Sequence, residues 1–186
     1  MELYNDINNL NLVQRGVAYL GDDEIQHIGA ALSTDVLFQW AKLADNFKSG
    51  GIINDAITHA WMAHPILALR LRLDDGVHHL KQDRAQRALD VVQPLVLDDP
   101  KYGEAWALMA MSYYEQDHKQ AALMAAKKAI EVVPQHYNAM SLQGTVHLIM
   151  GEHEMAAQML GECVTLDPWS FAANPLSAAL DLLHNK

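Results

Sequence analysis

The sequence predicts an all-α fold of stacked antiparallel helix pairs. Residues Gly103 to His136, GEAWALMAMSYYEQDHKQAALMAAKKAIEVVPQH, read as a helix, a short polar break, a second helix and a terminating proline. Pro100, Pro134 and Pro168 recur every 34 residues, each closing an apolar run of helical period, and a fixed period of this size marks a repeat array. With 186 residues, 51% hydrophobic and 19% charged, the chain can bury a core without disulfides or metals and lacks the bias of disorder.

In chain order, residues 1–21 carry little sustained period and read as a flexible arm. Asp22, Asp23 and Glu24 supply a cap and an acidic first turn for a short helix through Ile25, Ile28 and Leu32. A degenerate helix pair follows over 35–65. Val36, Phe38, Trp40, Ala41, Ala44 and Phe47 form its first helix, Gly50-Gly51 a turn, and Ile53, Ala56, Ile57, Ala60 and Trp61 its second, with Ala56 and Ala60 allowing a close approach.

Between Leu67 and Gly76 apolar and polar residues alternate and lead into Asp75-Gly76, which is also a hairpin signal. A lone hairpin is barely stable in water, and Val77, Leu80, Ala88, Val91, Val92 and Leu95 resume helical spacing, so helix is favoured. Pro94 should kink or interrupt its helix, at a cost of ~3 kcal/mol. Repeats are expected at 69–102, 103–136 and 137–170. Asn174-Pro175 then opens a capping helix over 175–184, with Leu176, Ala179, Leu180 and Leu183 on one face. Residues 22–186 are expected to form a single domain.

The residue types at these positions resemble the tetratricopeptide repeat. Its first-helix and second-helix sites are held in the middle repeat by Trp106, Met109, Ala110, Tyr113, Ala122, Ala126, Ala129 and Pro134. In the last repeat they fall on Met140, Gln143, Gly144, His147, Ala156, Leu160, Cys163 and Pro168, and in the first only Gly76, Ala88, Val92 and Pro100 fit well. The resemblance implies a right-handed solenoid of about three repeats. A second resemblance, in Ser33 to Ala56, is to the opening repeat of the class II chaperones of bacterial type III secretion, small acidic cytosolic proteins that hold translocator subunits before export.

What the tetratricopeptide resemblance implies for binding is a concave groove lined by the first helix of each repeat. Carried onto this chain, the partner-binding residues are Leu73, Val77, Leu80, Leu108, Met111, Tyr114, Leu142, Thr145, Leu148 and Ile149. That groove is mostly apolar and suits an apolar protein or peptide segment. Ala107 and Met111 stand where some relatives place Lys and Asn to clamp a C-terminal carboxylate. The alternative reading is packing, in which Leu108, Leu142, Leu148 and Ile149 are covered by the next helix or a second subunit.

The formal charge of −10 disfavours nucleic acid and anionic membranes through repulsion. No run approaches the roughly 18 apolar residues of a membrane span, and the start lacks the basic and apolar regions of a signal peptide. A lone cysteine, Cys163, agrees with a reducing compartment, so a cytoplasmic location is expected. Ten histidines invite a metal, but none has the spacing of an HExxH helix and no CxxC completes a site. Neither a GxSxG turn nor a phosphate-binding glycine loop is present. No cofactor, metal or catalytic residue is therefore expected. The sequence reads as a non-enzymatic adaptor or chaperone; the alternative is a structural assembly protein, a homodimer through the N-terminal helices.

Overall fold

The computed structural model describes residues 34–43, 47–170 and 172–184, all of whose regular elements are helices. They are α1 Thr34–Leu43, α2 Phe47–Met62, α3 Leu67–Lys81, α4 Ala85–Asp98, α5 Gly103–Glu115, α6 Lys119–Val132, α7 Tyr137–Ile149, α8 His153–Leu166 and α9 Ala173–His184. The flexible arm expected at 1–21 and the short helix after Asp22 lie outside the described residues. Two compact units are present, one grouping 34–61 with 166–169 and the other 62–165 with 170–184.

In the larger unit the 34-residue period is visible in the backbone. Asp83, Asp117 and Gly151, each between the two helices of a repeat, have φ of 57°, 59° and 77°. A left-handed residue there reverses the chain in a short turn; glycine takes it without cost and aspartate is among the side chains that tolerate it. The helices so paired bury small residues where they cross, with Ala88, Ala110, Ala122, Ala126, Ala129 and Ala156 inaccessible. Gly144 marks a close crossing, since a Cβ on it would lie 2.5 Å from Leu160 Cγ and 2.9 Å from its Cδ2. Around the crossings, Leu73, Val92, Leu95, Leu108 and Val146 join the interior.

Residues 67–81 are helical throughout, in agreement with the favoured reading. Pro94 does not interrupt α4, which is continuous from Ala85 to Asp98. Its ring costs one backbone hydrogen bond, but Leu89, Val92, Leu95 and Val96 on both sides of it are buried and hold the two halves in line. At the C-terminus, α9 starts at Ala173, before the expected Asn174 cap, and the Leu176 N–H bonds to the Ala172 carbonyl; Pro175 still falls in the first turn, where a missing N–H is harmless.

The smaller unit corrects the glycine turn. Gly50 and Gly51 lie inside α2, not between two helices. The reason is Trp169: a Cβ on Gly50 would sit 2.2 Å from Trp169 Cγ, so glycine at 50 lets the indole lie against the helix backbone. The Trp169 Nε1–H donates to the Ala41 carbonyl at 2.8 Å. Asp167 holds this corner, accepting from Asn54 Nδ2 at 2.7 Å and the Trp169 N–H at 3.0 Å. Leu37, Phe38, Trp40, Ile53 and Ile57 fill the interior, while Ala60, expected at a close approach, is exposed.

Candidate peptide groove and the junctions that frame it

The first helices of successive repeats, α3, α5 and α7, pack side by side in the larger unit, so residues 34 apart form rows across them. One row is Val77, Met111 and Thr145, and the next is Leu80, Tyr114 and Leu148. All six are half-buried, with Val77, Leu80, Met111 and Tyr114 resting on the core. Ile149 beside them is 52% exposed. These seven of the expected groove residues keep accessible surface.

Leu73, Leu108 and Leu142 do not. Leu73 is fully buried, and Leu108 and Leu142 are each 6% exposed. Leu108 reaches across to α3, where a Cβ on Gly76 would meet its Cδ2 at 2.8 Å. One position along a helix turns a side chain by about 100°, enough to carry it from the open face into the contact with the neighbouring helix. For Leu108 and Leu142 the packing alternative describes their position; Leu73, which that alternative did not name, is buried as well.

Polar contacts at the helix starts involve residues to which the sequence assigned no partner. His136, fully buried, caps α7: its Nδ1 accepts from the Ala139 N–H at 3.4 Å, and Nε2 lies 2.9 Å from Glu104 Oε2. With Nδ1 accepting, the proton shared with Glu104 sits on Nε2. His64, before α3, makes a related pair with the start of the next repeat, with Nδ1 accepting from the Ile66 N–H at 3.0 Å and Nε2 2.8 Å from Asp99 Oδ2. Tyr102, at the position equivalent to His136, donates its hydroxyl to the Met62 carbonyl. Burial, then the negative charges of Glu104 and Asp74, hold that hydroxyl above the ordinary tyrosine range.

Asp99 and Asp167 precede Pro100 and Pro168, and each bends back to accept from the N–H two residues on. The hydrogen bond from His64, then that from the Lys101 N–H, hold the Asp99 carboxyl below the usual range, whereas burial pushes the Asp167 carboxyl up. A depressed carboxylate contributes stability above its unfolded value and loses it as pH falls through the folded value. Thermal melts of Asp99→Asn should therefore lose less between about pH 5 and pH 2 than those of the parent protein. An unchanged acid slope would show that the His64 contact contributes nothing.

His147, at the repeat's aromatic position, is buried, with Nδ1 2.5 Å from Glu152 Oε2. Cys163 is inaccessible, and its Sγ donates to the Tyr137 carbonyl at 3.3 Å. Among the described residues no three His, Cys, Asp or Glu side chains come together as a metal site, and no helix is long and apolar enough to cross a membrane.

The family model of the tetratricopeptide repeat matches residues 103–136, the unit delimited by Pro100 and Pro134 above. Residues 103–136 are a tetratricopeptide repeat. The human PEX5-related protein is 22% identical over 95 residues, which are 51% of this chain and 15% of that protein, so the chain spans only a small part of the curated relatives it matches. Among solved structures, the first tetratricopeptide domain of Spaghetti (RPAP3) bound to the HSP90 peptide SRMEEVD matches with a TM-score of 0.60 at 20% identity, over 62% of this chain and 93% of that one. The TPR2AB domain of yeast Sti1 in complex with an HSP90 peptide matches with a TM-score of 0.53 at 16% identity, over 98% of this chain and 77% of the other. The fold is that of an all-α tetratricopeptide-type solenoid.

Proposed function

We propose that this protein is a non-enzymatic interaction module, an adaptor or chaperone that holds an apolar segment of a partner protein on the face formed by α3, α5 and α7. The observation that carries the reading is the pair of apolar rows left half-exposed on three successive first helices. Side chains such as Met111 and Tyr114 give large contact area there, and the thioether adapts its shape to the occupant. Two solved relatives of the same fold, at low identity, are bound to HSP90 peptides, which supports peptide binding as the use of the face. Glu104 beside it is engaged by His136, which caps α7, a structural use that asks for no catalysis.

A secretion-chaperone role is the finer form of this reading. Its support is the resemblance of Ser33 to Ala56 to the opening repeat of translocator chaperones, and it places the client among apolar exported subunits in the cytoplasm. The homodimer alternative draws on residues 22–61, but Phe38 and Trp40 there are each only 3% exposed, so changing them tests the interior of the smaller unit and not an interface.

Ile149→Glu, at a 52% exposed position, should change stability by no more than about 0.5 kcal/mol. Combined with Tyr114→Ser it should abolish retention of the native partner identified by co-purification, while circular dichroism stays helical. Full retention of the partner by the folded double variant would overturn the proposal.

A further inference from the structure

The smaller unit is built from two stretches of chain, which leaves it at Trp61 and returns at Leu166. The returning segment is shaped by its own neighbours. Within it the Trp169 N–H donates to Asp167 Oδ1 at 3.0 Å, and across its base Cys163 Sγ lies 3.6 Å from Ser170 Oγ. Neither contact involves α1 or α2. Those helices meet the corner through the indole N–H on the Ala41 carbonyl, the Asn54 amide on Asp167 and the indole ring against Gly50.

Without that corner, α1 and α2 have little to hold them. Gly50 and Gly51 lie inside α2, where glycine is the poorest helix former after proline, and isolated helices of about this length are marginal in water. Phe38 and Trp61, with ring centroids 6.0 Å apart, tie α1 to α2, so the two helices move as a pair. Closure also carries costs that opening relieves. Trp40 Nε1 is buried with no hydrogen-bond partner among the described residues, and the fully buried Asp167 carboxylate takes its bonds from two neutral donors, the Asn54 amide and the Trp169 N–H.

We infer that α1 and α2 act as a latch: they release together from the Asp167–Trp169 corner, by an opening that leaves α3 to α8 folded, and fasten again when the indole returns to Gly50. Opening uncovers Leu37, Phe38, Ile53 and Ile57, so the latch controls when the protein presents an apolar surface that its closed form keeps from water.

Hydrogen–deuterium exchange of the full chain, read by mass spectrometry, tests this at two neighbouring glycines. A Cβ on Gly50 would lie 2.2 Å from Trp169 Cγ, whereas one on Gly51 meets nothing within 4 Å. Alanine favours the helix at both positions, but only at 50 does it oppose closure. In the parent protein, amides of α2 should exchange roughly tenfold or more faster than those of α5 and α6, after correction for intrinsic rates. Gly50→Ala should speed exchange of α2 by about a further tenfold, and Gly51→Ala should slow it about threefold, with α5 and α6 unchanged in both. Equal protection of α2, α5 and α6 in the parent, slower exchange of α2 in Gly50→Ala, or loss of protection in α5 and α6 alongside α2 would each overturn the latch.

Discussion

Leu160→Ala should destabilise the larger unit by about 2–5 kcal/mol, because a fully buried leucine is truncated at the crossing of α7 and α8. Gly144→Ala should also destabilise, by about 1–3 kcal/mol from overpacking, offset by up to about 1 kcal/mol of improved helix propensity. The new Cβ would lie 2.5 Å from Leu160 Cγ and 3.2 Å from the Leu160 backbone nitrogen, so neither a rotamer change nor a small backbone shift relieves it alone. The double variant should be more stable than the two losses added together, since the methyl introduced at position 144 occupies part of the space that Leu160 vacates. Chemical denaturation of the four proteins measures this coupling. Strict additivity would mean that the two side chains do not share one volume.

The second large effect is expected at Trp169. Trp169→Ala removes an indole that lies against Gly50 and donates to Ala41, and should destabilise the unit formed by 34–61 and 166–169 by about 3 kcal/mol. Trp169→Phe keeps the ring and loses the donor, leaving the Ala41 carbonyl without that bond, for about 1 kcal/mol. A thermal melt followed by circular dichroism should order the proteins as parent, Phe, then Ala. If Phe and Ala were equally destabilised, the hydrogen bond and not the ring would be holding α1 and α2 to this corner.

These two sites show where the sequence was legible. Gly144 stands at a position where the repeat pattern demands a small residue, so its role could be read from the 34-residue frame. Gly50 offers no such frame. Locally, Gly50-Gly51 is a turn signal, and only a tryptophan more than a hundred residues away explains why glycine is required inside a helix. The same division applies to the polar junctions. His136 and Glu104, or His64 and Asp99, are single residues of common types in sequence; they become pairs only because the repeat folds one helix start against another.

For the groove, the tetratricopeptide resemblance named ten residues, of which Val77, Leu80, Met111, Tyr114, Thr145, Leu148 and Ile149 keep accessible surface and Leu73, Leu108 and Leu142 are buried. Helical period assigns a residue to a sector of its helix, but the boundary between open face and interior depends on how closely the next helix approaches. Gly76, by omitting a Cβ, lets Leu108 advance into that boundary.

In residues 67–166 the sequence by itself determined the helix pairs, their 34-residue period, the short polar breaks between them and the small residues at their crossings, because each follows from local backbone preference and side-chain size repeated in register. Tertiary structure decided the uninterrupted course of α4 through Pro94, the helical course of α2 through Gly50, the burial of three leucines expected to bind a partner and the pairing of the junction histidines. Each of those depends on an atom supplied from elsewhere in the chain, and no local pattern specifies which atom that will be.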